Sequence, residues 1–238
     1  MKTYCLIGKN LQHSFSKDFF KMKFKNEKIE NIKYINIEIN DISRLPELIK
    51  KNKISGLNIT NPYKKSVIPF LDKINESAKK IGAVNTIKMK KNKLIGYNTD
   101  VIGFEKSLTK VIGERKNALI LGNGGASKAV KYVLNKLNVN YLIVNRKSKF
   151  DYHHITKDIL NKYKIIINTT PVGMFPKIEE KPILKYKHLN NSHLLYDLIY
   201  NPNETEFLKN GRIQNCDIKN GLEMLYVQAE ASWKIWNS

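Results

Sequence analysis

Apolar positions in this chain fall in short runs whose spacing changes along its length. Residues 3–8 are apolar with weak alternation, which predicts a first strand. Residues 16–26 set Phe19, Phe20, Met22 and Phe24 among lysines, the pattern of a helix with one aromatic face. Alternation at 34–39 predicts a strand, 42–51 a helix capped by Asp41 or Ser43, and 56–59 a short strand. Residues 65–71 and 75–81 read as helical, and 85–90 with 93–97 as a hairpin around Lys91-Asn92. Strand and helix alternate over this first part, so it is an α/β unit.

Residues 100–110 predict a helix joining two domains. A buried strand at 118–121, a helix at 127–137, and strands at 141–144, 165–168 and 194–197 follow, with a last helix at 221–236. No internal repeat and no low-complexity linker interrupts the order.

With 238 residues and 42% hydrophobic content, the chain can bury a real core. No apolar run approaches the roughly 18 to 20 residues that span a bilayer, and the start is too short an apolar stretch for a signal peptide. No membrane partner is expected. Cys5 and Cys216 lie too far apart in sequence to form a metal-ligand motif or a disulfide framework, so no metal is expected and a reducing cytoplasm is the simplest compartment. The net charge of +21 raises nucleic-acid binding. Lysines occur in every part of the chain, without a zinc-finger, RNA-recognition or KH signature, so the charge reads as solvated faces. Its field would still draw in an anionic substrate and cofactor.

Leu119-Ile120-Leu121-Gly122-Asn123-Gly124-Gly125-Ala126-Ser127 reads as strand, turn and helix start. Glycines let the backbone approach a pyrophosphate, and a helix N-terminus offers free N–H groups. A tight turn alone explains such a run, but the strand before and the helix after favour nucleotide binding. Residues 118–219 therefore form a small Rossmann-type unit. Asn145, Arg146 and Lys147 follow the next strand, where a guanidinium suits a ribose 2′-phosphate and argues for NADP over NAD.

Other polar blocks stand outside that turn. Ser14 and Ser16 sit two residues apart and either hold a carboxylate or cap the following helix. Asn58-Ile59-Thr60-Asn61-Pro62-Tyr63-Lys64 follows an apolar strand. Its lysine is either a solvated charge or a proton donor to a forming alkoxide, oriented by Asp100 and accompanied by Asn85. Asn168-Thr169-Thr170 and Tyr196-Asp197-Leu198-Ile199-Tyr200 each end a strand, where a loop is either an ordinary turn, the commoner case, or part of a ligand crevice. Asn220-Gly221 opens the last helix, on which Gln228 is either a surface amide or a pocket-facing donor.

Taken in order, these blocks resemble the shikimate dehydrogenase family from near the start to Trp236. They comprise Ser14 and Ser16, Asn58 to Lys64, Gly82 to Thr86, Asn98 to Asp100, and the Gly122 turn. Asn145-Arg146, Asn168 to Met174, Tyr196 to Pro202 and Asn220 to Gln228 complete them. The resemblance implies reversible NADPH-dependent reduction of 3-dehydroshikimate to shikimate. It also implies a two-domain α/β fold, with an N-terminal substrate domain and a Rossmann-type NADP-binding domain facing an interdomain cleft. Residues 1–99 with 221–238 would form the first domain and 100–220 the second.

Lys64 and Asp100 would be the catalytic pair. Ser14, Ser16, Asn58, Thr60, Asn85, Tyr200 and Gln228 would hold the substrate. Gly122, Asn123, Gly124, Gly125, Ala126, Ser127, Asn145, Arg146 and Lys147 would bind the phosphates and adenosine end of the cofactor. Thr169, Leu198, Gly221 and Met224 would lie toward its nicotinamide, and Glu76 would touch it. Against the family pattern, 147–164 is too short for the usual helix and strand. Monomer and homodimer both stay open. The rivals are a broader quinate/shikimate dehydrogenase using NAD, and a basic binding protein on the same scaffold.

Overall fold

A computed structural model of the chain describes residues 1–12, 14–146 and 150–238. The first part runs β1 (Lys2–Gly8), α1 (Phe15–Asn26), β2 (Ile32–Glu38), α2 (Leu45–Asn52), β3 (Ile54–Ile59), β4 (Lys73–Ile74), α3 (Glu76–Ile81), β5 (Thr86–Lys90) and β6 (Lys93–Tyr97). The rest runs α4 (Thr99–Thr109), β7 (Asn117–Leu121), α5 (Gly125–Lys136), β8 (Asn140–Val144), α6 (Lys157–Lys162), β9 (Ile165–Asn168), β10 (Leu194–Asp197), α7 (Glu206–Ile213), β11 (Asp217–Lys219) and α8 (Leu222–Asn237). The chain divides into two compact units, Met1–Asp100 with Gln228–Ser238, and Val101–Val227. Both transitions fall inside helices, α4 and α8, rather than at the helix starts.

The first unit is built on a six-stranded sheet in the order β2-β1-β3-β5-β6-β4. β1 pairs in parallel with β2 and β3, while β5 is antiparallel to β3 and β6. Side chains of a strand alternate between faces, and β1 buries both sets. Cys5 and Ile7 join Leu45, Leu57 and Ile59 in one cluster, and Tyr4 and Leu6 join Phe20, Tyr34 and Trp236 in another. The second cluster explains the aromatic face of α1: Phe20 stacks on Tyr34 with ring centroids 4.4 Å apart. Trp236 closes it from α8, donating its indole N–H to the Ile87 carbonyl at 3.0 Å. A Cβ on Gly56 would meet the Trp236 ring at 2.6 Å, so glycine is what allows this approach.

The second unit is a five-stranded, all-parallel sheet ordered β11-β10-β9-β7-β8. Its strands read as continuous apolar runs because both faces are covered; Leu119, Leu121, Ile166, Leu195 and Phe207 share one buried cluster. The chain runs from β7 outward to β8, then returns to place β9 on the other side of β7. That reversal puts the loops after β7 and β9 side by side at the carboxyl ends of their strands, the usual ligand position of such sheets.

Several expectations change. Residues 65–71 are turns and a short 3-10 segment at Ile68–Phe70, with Pro69 inside it. Proline has no N–H to continue an α-helix. The start of the helix predicted at 42–51 is likewise 3-10, at Ile42–Arg44, with Asp41 accepting from the Ser43 N–H at 2.9 Å. Residues 147–164 do accommodate a helix, the six-residue α6, capped by Thr156. The chain then enters β9 directly. β4, α7 and β11 lacked a sequence signal strong enough to predict them. The hairpin turn is at Lys91 and Asn92, both in the left-handed region with φ of 49° and 59°, as a tight two-residue turn requires.

Candidate active site

Lys64 lies in the turn after β3, and that turn is tied down on both sides. Its own carbonyl accepts from the Val84 N–H at 2.7 Å. The neighbouring Tyr63 is buried and donates its hydroxyl to the Ile39 carbonyl at 2.6 Å. These bonds hold the lysine stem beside the start of α4, whose first turn carries Asp100. Lys64 Nζ lies 2.6 Å from Asp100 Oδ2. The Lys64 and Asp100 side chains keep 28% and 20% of their surface exposed, so a small molecule can reach the pair. The N-terminal end of α4 also attracts a carboxylate through its dipole. Lys65, the next cation, is exposed.

The other Asp100 oxygen, Oδ1, accepts from Asn85 Nδ2 at 2.9 Å. Asn85 is buried between α3 and β5, with its N–H on the Tyr97 carbonyl and its carbonyl receiving the Ile59 N–H. Gln228, on α8, lies with its Oε1 3.4 Å from the Thr99 hydroxyl, on the side of the helix facing this cluster. Asn58 is buried on β3 and bonds Tyr34, Thr86, Ser232 and the Asn85 carbonyl. The structure thus brings together Lys64, Asp100, Asn85, Asn58 and Gln228.

Ser14 stands at the N-cap of α1 but makes no side-chain capping bond, and Ser16 lies inside the helix. Neither serine therefore caps the helix through its side chain. The Ser16 hydroxyl interacts with the Tyr34 phenol, whose burial pushes its pKa well above the usual range. Thr60 is half-buried at the end of β3, with its methyl against Gly8. Tyr200 belongs to the second unit, in the loop after β10. Sequence reasoning did not single out Tyr34, Thr86, Thr99 or Ser232. Thr86 and Thr99 stand within the Gly82–Thr86 and Asn98–Asp100 blocks without a role of their own there, and Tyr34 and Ser232 lie outside every block.

In the second unit, Gly122 follows β7 with φ of 101°, a conformation that side chains rarely adopt. Its N–H bonds the Val144 carbonyl at 2.7 Å, and the Leu121 carbonyl accepts from the Thr169 N–H and hydroxyl. Asn123, Gly124, Gly125 and Ala126 are exposed, and a Cβ on Gly124 or Gly125 would meet nothing within 4 Å. Open space at the N-terminus of a twelve-residue helix fits a pyrophosphate. The Ser127 side chain is committed elsewhere, fully buried and donating to the Gly124 carbonyl at 2.7 Å. Asn123 Oδ1 accepts from Lys131 at 3.2 Å. Asn145 is half-buried and Arg146 exposed just after β8, while Lys147 lies outside the described residues.

Thr169, Leu198, Gly221 and Met224 come from three separate segments. The Leu198 N–H bonds the Asn168 carbonyl, and the Gly221 N–H bonds the Ile199 carbonyl at 2.9 Å. A Cβ on Gly221 would sit 2.1 Å from the Leu198 carbonyl oxygen, so only glycine lets α8 start there. Met224 lies in the first turn of α8. Behind these loops the fully buried Asp197 accepts from Asn168, the Ile199 N–H and Thr205. Burial raises its carboxyl pKa to about 6, against the opposing pull of those hydrogen bonds. Glu76 is exposed at the start of α3, in the first unit, and pairs with Lys80 at 2.6 Å. Among the described residues no cluster of His, Cys, Asp and Glu could hold a metal, and no helix is long and apolar enough to cross a membrane.

Residues 6–87 match the family model described as the shikimate dehydrogenase substrate binding domain. A shikimate dehydrogenase (NADP(+)) from Clostridium beijerinckii is 42% identical, over 99% of this chain and 92% of its own. The crystal structure of the shikimate dehydrogenase from Aquifex aeolicus has a TM-score of 0.89 at 36% identity, covering 100% of this chain and 92% of that one. A quinate dehydrogenase from Corynebacterium glutamicum, in complex with NAD, gives 0.89 at 26% identity, covering 99% and 93%. Matches of this identity cover nearly the whole chain, both units included, and the chain belongs to the shikimate dehydrogenase family.

Proposed function

We propose that this protein catalyses the reversible NADPH-dependent reduction of 3-dehydroshikimate to shikimate. The observation that carries the reading is the Lys64 Nζ to Asp100 Oδ2 contact at 2.6 Å, with Asn85 holding the other carboxylate oxygen. In this reading the first unit holds the substrate and the second holds the cofactor. When bound, NADPH supplies a hydride to the ketone carbon. Lys64 gives a proton from Nζ to the ketone oxygen as it becomes a hydroxyl, and takes one back in the reverse direction. Asp100 keeps the ammonium aimed at that oxygen. Ser14 and Ser16 receive the substrate carboxylate, and Thr60, Asn85, Tyr200 and Gln228 receive its hydroxyls, with Asn58 supporting them. A Ser14 hydroxyl that caps nothing supports that role.

The turn from Gly122 to Ser127 would hold the pyrophosphate on the N–H groups that follow Gly122, whose own N–H is on the Val144 carbonyl. Asn145, Arg146 and Lys147 take the adenosine end and its 2′-phosphate. Thr169, Leu198, Gly221 and Met224 line the nicotinamide side. The buried Ser127 hydroxyl and the ion-paired Glu76 leave those two residues to act through the backbone and by proximity respectively.

The test is the loss of NADPH absorbance on mixing with 3-dehydroshikimate, repeated with NADH and, in the reverse direction, with quinate. Rapid NADPH oxidation and slow NADH oxidation are expected. Faster turnover of quinate with NAD than of shikimate with NADP would transfer the assignment to a quinate dehydrogenase.

A further inference from the structure

We infer that Ser232, on the terminal helix, is a positioning residue for the Lys64–Asp100 pair, acting through a buried hydrogen-bond chain with a fixed direction. The inference rests on the proposed reaction. Asn58, Asn85, Thr86, Thr99 and Ser232 are all 6% exposed or less. Polar groups buried so completely are costly unless every one is hydrogen-bonded, and here each has partners.

Two backbone groups set the direction. The Asn85 carbonyl can only accept, and Asn58 Nδ2 lies 3.2 Å from it. Asn58 Oδ1 therefore faces the Tyr34 phenol, which donates at 2.8 Å. The Thr99 N–H can only donate, and it reaches Asn85 Oδ1 at 2.7 Å. Asn85 Nδ2 is left for Asp100 Oδ1 at 2.9 Å and the Thr99 hydroxyl at 3.1 Å.

Ser232 sits where these two halves meet. Its hydroxyl oxygen accepts from Asn58 Nδ2 at 3.0 Å and lies 2.8 Å from the Thr86 hydroxyl and 3.2 Å from that of Thr99. Its own proton has the Gln228 carbonyl, 3.0 Å away on the same helix. A serine in mid-helix is a weaker helix former than alanine, so helix formation does not require it. Removing the hydroxyl leaves Asn58 with the Asn85 carbonyl and Thr86 as acceptors. What disappears is one restraint on the Thr99 hydroxyl, which is left to turn among Asn85, Thr86 and Gln228 Oε1. The Asn85 amide keeps the Thr99 N–H on its Oδ1, but the Nδ2 that it turns to Asp100 is held less firmly by its hydroxyl neighbour. Small misplacements of reacting groups are costly in rate.

The experiment is steady-state kinetics with 3-dehydroshikimate and NADPH on the wild type, Ser232→Ala, Ser232→Thr, Asp100→Asn and the Ser232→Ala, Asp100→Asn double variant. Ser232→Ala is expected to lower kcat about tenfold with the KM for NADPH unchanged, and Ser232→Thr to restore most of the loss. In the Asp100→Asn background Ser232→Ala should do nothing further, because the group it positions is gone. Should Ser232→Ala not fold, Tyr34→Phe removes the donor at the far end of the same chain and is expected to behave alike. An active wild type with unchanged kcat in Ser232→Ala overturns the inference alone. So does a tenfold loss that persists beside Asp100→Asn. A folded wild type that does not oxidise NADPH overturns the proposed reaction, and the inference with it.

Discussion

Asn85 can face Asp100 in only one orientation. Its Oδ1 is already occupied by the Thr99 N–H at 2.7 Å, so the atom it offers to Asp100 Oδ1, at 2.9 Å, is the amide nitrogen. The residue that opens α4 and the residue that follows it are thus read by the two ends of one side chain. The carboxylate is left with Oδ2 free for Lys64.

That arrangement predicts a double effect of Asn85→Ala. The buried Thr99 N–H would lose its acceptor, at a cost of about 1 to 3 kcal/mol of stability. Turnover per folded molecule should fall by at least about tenfold as Asp100 loses its anchor. Thermal melts and kcat measured on the same samples check this. Unchanged kcat would show that Asp100 needs no such support.

Lys64→Ala should reduce kcat by roughly 10² to 10⁴-fold, the usual range for a proton-transfer group. The affinity for NADPH, measured by fluorescence titration, should stay near that of the wild type. Retained turnover would remove Lys64 from the chemistry.

Arg146→Ala is expected to raise the KM for NADPH by about tenfold or more while leaving that for NADH nearly unchanged, since only the former carries a phosphate for the guanidinium to bind. Kinetics with both cofactors distinguish this from a general loss, in which both would weaken equally.

Asp197 predicts a pH dependence of stability. Its pKa rises from 3.8 to about 6 on folding, because burial disfavours the charged form. Below pH 3.8 the group is neutral folded or unfolded and costs nothing. Between 3.8 and about 6 the unfolded chain ionises first, so this contribution to stability falls as pH rises, and above about 6 the penalty stays constant at on the order of 3 kcal/mol. Replacing Asp197 by Asn removes that slope. The melting temperature of Asp197→Asn relative to wild type should therefore climb from about pH 4 to about pH 6 and then level off. A difference independent of pH would mean that the carboxyl is ordinary.

By itself the sequence determined the alternation of strand and helix, the hairpin and four of the five strands of the second sheet, because these rest on local periodicity. Leu119 to Leu121 is an apolar run before glycines, and Lys91-Asn92 is a turn between alternating segments; both signals lie within a few residues of the structure they specify. It also carried the chemical blocks, since Lys64, Asp100 and Asn85 stand in short polar stretches that follow apolar ones. The segment 65–71 misled because its apolar spacing suits a helix while Pro69 denies it the backbone bond. The partner of each side chain was decided by tertiary structure. Ser232 meets Asn58 across 174 positions and Thr86 across 146, and nothing local marks it among the polar residues of α8. Asp197 owes its raised pKa to β10 being buried on both faces, and Gly221 is required by the close approach of Leu198. Burial and hydrogen-bond direction are properties of neighbours brought together by folding, and periodicity along a chain carries no record of them.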